Sequence, residues 1–83
     1  GDTPIPIKLQ LTLLAKNVLV EEYPEAEKDL IQTTDDDRWI LETDVYQMEG
    51  IGRFYMGLAG EIQIIDAKGL KEYAQKYSRD HIL

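Results

Sequence analysis

The side chains of this 83-residue chain best suited to chemistry are two arginines, an aspartate triplet and a lone histidine. Arg38 and Arg53 can each hold an anionic ligand through paired hydrogen bonds, because a guanidinium fork matches a carboxylate or phosphate. Sixteen carboxylates compete for them, so a surface ion pair is the weightier reading of either. Asp35-Asp36-Asp37 resembles a cation loop only in charge: it lacks the glycine and terminal glutamate of a calcium loop, and a solvated turn explains it. His81 stands in the last three residues, where chains fray, and neighbouring Ser78 has no base fixed beside it. The glycines at 50, 52, 57 and 60 have helical surroundings and no following Lys-Ser or Lys-Thr, so they do not form a phosphate loop. No catalytic residue, metal site or cofactor is expected.

Composition narrows the classes further. The chain has the length of one domain with one small core. It has no cysteine, which removes disulfides, thiolate zinc sites and thiol redox chemistry. No apolar run is long enough to span a bilayer, and there is no signal-peptide pattern; a cytoplasmic location is expected. The net charge is −7 with no basic run. Such a surface repels phosphate backbones and anionic membranes, so neither nucleic acid nor membrane is an expected direct partner. A start at Gly1 suggests that residues 1–3 are a linker or tag remnant. Residues 4–83 then read as one domain cut from a larger protein.

The elements that must position these side chains follow from periodicity. Ile5, Ile7, Leu9, Leu11 and Leu13 alternate with Pro6, Lys8, Gln10 and Thr12, the period of a half-buried strand. Leu14, Val18, Leu19 and Tyr23 have roughly helical spacing, although Val18-Leu19-Val20 would also tolerate a strand, and Pro24 ends that helix. Glu25 to Asp29 reads as a charged connector. Leu30 to Thr34 and Arg38 to Tyr46 flank the Asp triplet as a hairpin; Trp39, Leu41, Thr43 and Val45 form one face of its second arm, with Trp39 read as core. Met48 to Leu58 reads as a helix with Ile51, Phe54, Tyr55 and Leu58 on one stripe. Gly60 suits a left-handed position past its end. Glu61 to Ile65 reads as a strand and Asp66 as the cap of a last helix, whose stripe is Leu70, Tyr73, Ala74 and Tyr77, with Gly69 in its first turn.

The order β-α-β-β-α-β is the ferredoxin-like order, followed by an additional C-terminal helix. The expected fold is α+β: an antiparallel four-stranded sheet, strands one and three central, both crossover helices on one face. The other face is left bare, with Lys8, Gln10, Thr12, Ile40, Glu42, Asp44, Tyr46, Gln63 and Ile65. Ile40, Tyr46 and Ile65 stand out there as apolar; Ile40 and Tyr46, with Tyr73 and Tyr77 on the last helix, are the candidate interface residues. Leu70 and Ala74 are expected to pack within the domain, and the two tyrosines to form a half-wet surface for a partner.

A family resemblance spans nearly the whole chain. A helix, Gly60, the strand Glu61-Ile62-Gln63-Ile64-Ile65, a break at Asp66-Ala67-Lys68 and Leu70 opening a last helix look like the C-terminal extension (WCX) domain of WYL-domain bacterial transcription regulators. Ala67 stands where that family commonly has proline, and the motif naming the WYL domain is absent. The resemblance implies a parent with an N-terminal helix-turn-helix that binds DNA and a middle sensor domain. It implies for this piece a non-catalytic role in dimerisation or in relaying effector binding. The partners would be the other domains of the regulator and a second copy. The alternative is a free-standing ferredoxin-like module sensing a small molecule, although the loop Ala15-Lys16-Asn17 offers it little. An acylphosphatase-type enzyme would need an arginine in that loop, and none is present there; an RNA-recognition sheet would need central aromatics, which the bare face lacks apart from Tyr46, and a different charge.

Overall fold

A computed structural model describes residues 3–33 and 37–81. Strand β1 (Ile5–Leu11) leads to helix α1 (Leu13–Glu22), and a 3-10 helix (Pro24–Asp29) leads into strand β2 (Leu30–Gln32). Strand β3 (Trp39–Val45), helix α2 (Met48–Gly57), strand β4 (Ile62–Ala67) and helix α3 (Leu70–His81) follow. The molecule is α+β, with one four-stranded antiparallel sheet in the order β2-β3-β1-β4. The long alternating strand β1 and its partner β3 lie at the centre, as their patterns require.

Register explains the core. Leu9 sits opposite Leu41 on one side and Ile64 on the other, while Ile7 faces Ala67 and Leu11 faces Ile62. These residues point to one face, where Ala15 and Leu19 of α1, Ile51 and Phe54 of α2 and Leu70 of α3 close over them. Leu9, Leu11, Ala15 and Leu70 have no exposed surface. At roughly 25 cal/mol per Å² of apolar surface, this single layer is the main source of stability.

Several local expectations are corrected. Leu14 is 54% exposed and Ala15 takes its inward place. The cause is the helix start: Thr12 is the N-cap, its hydroxyl accepting from Ala15 N–H while donating to Glu61 Oε1 at 2.8 Å, and this sets the phase that turns Ala15 and Leu19 to the sheet. Tyr23 caps α1, and the expected connector is the 3-10 helix that Pro24 opens. Gly60 is not left-handed; it lies in a 3-10 turn, Ala59–Glu61. Asp66 does not cap α3. The ladder between β1 and β4 shifts register between Lys8 and Leu9, and the extra residue of this bulge, Ile65, carries the strand on through Asp66 to Ala67. Gly69 is the residue that turns the chain, at φ +88°, and its carbonyl accepts from Tyr73 N–H at 2.9 Å.

Candidate functional site

The helices cover one face of the sheet and leave the other to solvent. Its side chains fall into rows set by register. One row runs Ile31, Ile40, Gln10, Gln63, and the next runs Glu42, Lys8, Asp66. Ile31 and Ile40 are therefore cross-strand neighbours and form an apolar doublet. Tyr46 and Ile65, at 58% and 46% exposure, belong to the same face, Tyr46 beyond the charged row and Ile65 at the bulge of the far edge strand β4. Ile40 thus belongs to a patch, and Tyr46 stands alone at the far end of β3. Ile31, 64% exposed, is the residue that sequence reading missed. The signal was the hairpin register, which pairs it with Ile40, but that register depends on the residues of the tip.

The two arginines part company. Arg53 Nη2 holds Glu49 Oε1 at 3.0 Å, one helical turn back on the exposed side of α2, the ordinary ion-pair reading. Arg38 makes no ion pair with a described carboxylate. It lines a concavity of about 170 Å³ at the end of the open face, with Gln10, Thr12, Glu61 and Gln63. Gln10 Nε2 reaches Gln63 Oε1 at 3.4 Å across it. Glu61 occupies the neighbourhood of the α1 N-terminus through Thr12, so a carboxylate already stands where an anion would gain most from the helix dipole.

The tyrosines of α3 are half-buried. A methyl placed at Gly52 of α2 would overlap the Tyr73 ring, so the two helices meet with that ring lying on the glycine. Tyr77 stacks on Tyr73, ring centroids 6.1 Å apart and planes 17° apart. The expected half-wet contact is thus, for Tyr73, a seam within the chain. Beside this seam a groove of about 660 Å³ runs between Tyr55, Met56 and Ala59 on one side and Lys71, Ala74 and Ser78 on the other. A second hollow of about 360 Å³ lies under the 3-10 helix, floored by Ile7, Leu19, Leu41 and Ile51. Asp29 crosses its rim to accept from the Thr43 hydroxyl at 3.0 Å.

Trp39 packs against the core, and the Lys16 ammonium lies 5.2 Å from its ring centre. Of the aspartate triplet, Asp35 and Asp36 lie outside the described residues, as does the side chain of His81. Among the described residues no three His, Cys, Asp or Glu side chains converge as metal ligands. No helix among them is long and apolar enough to cross a membrane. No family model, curated protein or solved structure matches the chain.

Proposed function

We propose that this domain is a ferredoxin-like interaction module of a transcription regulator, of the kind that forms the C-terminal extension of WYL-domain proteins. In this reading its role is to pack against its own kind or against a neighbouring domain, without catalysing a reaction. The observation that carries it is the one-sided sheet. The order β-α-β-β-α-β-α and the strand order β2-β3-β1-β4 support a reading as two interlocked split β-α-β units, and the sheet has a face with the Ile31–Ile40 doublet uncovered. The helix that opens at Leu70, after a strand entered past Gly60, agrees with the family order. The strand's extension through Asp66 to Ala67 departs from the break expected there.

Regulation then works by population. Effector binding in a sensor domain favours one arrangement of the domains, and contacts made through this module differ between arrangements. The acidic surface assigns DNA contact to another part of the parent. Deleting residues 5–83 from the parent tests this: loss of effector response with operator binding retained in part is expected. Unchanged regulation by the truncated parent would sink the reading.

One observation favours the alternative of a small-molecule sensor, namely Arg38 on its concavity beside the amides of Gln10 and Gln63. Titration calorimetry with small carboxylates, with and without Arg38→Gln, separates the two. Heat that depends on Arg38 supports sensing, and no heat favours the interaction module.

A further inference from the structure

The two edges of the sheet differ in a way that the open face does not explain. β2, at one edge, is three residues long. Glu25, Glu27 and Asp29 precede it and the aspartate triplet follows. Short length and charge are the usual means by which an edge strand avoids pairing with another chain. β4, at the other edge, is six residues long and begins Ile62-Gln63-Ile64-Ile65, three β-prone isoleucines and a glutamine without a charge.

Charge is distributed along the same axis. Residues 62–78 carry Lys68, Lys71 and Lys76 against Asp66 and Glu72, a net of +1 in a chain of −7. The β4–α3 side is therefore the side on which two copies can approach without acid meeting acid. Backbone geometry points the same way. Thr12 N–H donates to Glu61 C=O at 3.1 Å and Gln10 stands opposite Gln63. Antiparallel pairing alternates, so Gln63 turns its backbone groups toward β1 and Ile64 turns its own toward the open edge. Ile65, displaced by the bulge, stands exposed beside that edge.

We infer that β4 is a pairing edge for a second copy of this chain, the two β4 strands running antiparallel about a two-fold axis near Ile64 to make one continuous sheet. A two-fold contact uses the same strand on both copies and closes on itself. A head-to-tail contact of β4 with β2 would build an open filament, and the short acidic β2 edge opposes it. The inference deepens the interaction-module reading by naming its self-contact, and rests on it for biological purpose.

Sedimentation equilibrium of the 83-residue chain tests the edge. The unmodified chain is expected to dimerise. Ile65→Lys or Gln63→Lys brings like charges together across the axis and raises the dimer Kd on the order of tenfold or more. Leu14→Lys, the same charge change at an exposed position of α1 away from both edges and the open face, leaves it unchanged. Both lysine variants at β4 replace exposed side chains, and circular dichroism confirms that each is folded; if one is not, the other still reads the edge. A chain monomeric up to about 1 mM overturns the inference. So does a dimer that only Ile31→Lys weakens, and that outcome leaves the regulatory reading to the truncation experiment.

Discussion

Gly52 and Tyr73 set the distance between α2 and α3. Alanine in a helix interior ordinarily stabilises relative to glycine by about 0.5–1 kcal/mol. At Gly57, where an added methyl meets nothing, that ordinary sign is expected. At Gly52 the methyl overlaps the Tyr73 ring, so Gly52→Ala is expected to lose about 1–3 kcal/mol in urea denaturation. In a Tyr73→Ala background that loss should shrink by ~0.5 kcal/mol or more, the signature of a direct contact. Equal effects at residues 52 and 57 would deny the seam. The pair also shows what one sequence can and cannot disclose about a site. The Arg53–Glu49 contact was legible, because spacing of four on a helix puts side chains together whatever the rest of the fold does. The Tyr73–Gly52 contact depends on where two helices dock. Nothing local to either residue encodes it, and Tyr73 read as a surface tyrosine for that reason.

At the scale of elements, legibility tracked how much of the pattern was local. β1 announced itself by alternation, and its buried side is the one the alternation predicts. α1 was legible as a helix, but its inward face was legible only in part, because leucines occupy both Leu13 and Leu14 and the helix phase is set outside the helix, by Thr12 capping Ala15 and binding Glu61 across to the approach of β4. Substitutions on that helix check the phase directly. Ala15 is fully buried against the sheet, so Ala15→Leu overpacks the core and is expected to cost about 1–3 kcal/mol. Leu14→Ala, one residue earlier, should stay within about 0.5 kcal/mol of the parent chain, both by urea or thermal unfolding. The reverse ranking would mean that α1 is rotated. The end of β4 was misread for a related reason. A bulge adds one residue to one strand, and the sequence Ile64-Ile65-Asp66 carries no mark of which strand pairs with which. Asp66 looked like a helix cap because its true partner across the sheet, Lys8, lies 58 positions away.

Over the whole molecule, the acid is concentrated and little of it is neutralised locally. Only two close ion pairs occur among the described residues, Arg53–Glu49 and the exposed Lys28–Glu25 at 3.7 Å, in a chain of net charge −7. Uncompensated like charge destabilises a compact state through self-repulsion. Salt relieves repulsion between exposed charges: from about 0.01 M to 1 M the screening length falls from ~30 to ~3 Å. Stability in urea is therefore expected to rise with NaCl over that range, by an amount on the order of 1 kcal/mol. The gain should come from the acidic side of the sheet rather than from the β4–α3 side. Glu27→Lys, on the 3-10 helix beside the acidic edge, removes part of the repulsion and so should stabilise the chain at low salt and flatten the salt dependence. Lys71→Glu, on α3, should do the opposite and steepen it, because it extends acid to the one side that is nearly balanced. If both substitutions left the salt slope unchanged, the fold's charge asymmetry would have no energetic consequence. The electrostatic part of the case for β4 as the approach side would then fall with it, leaving only the backbone geometry of the edge.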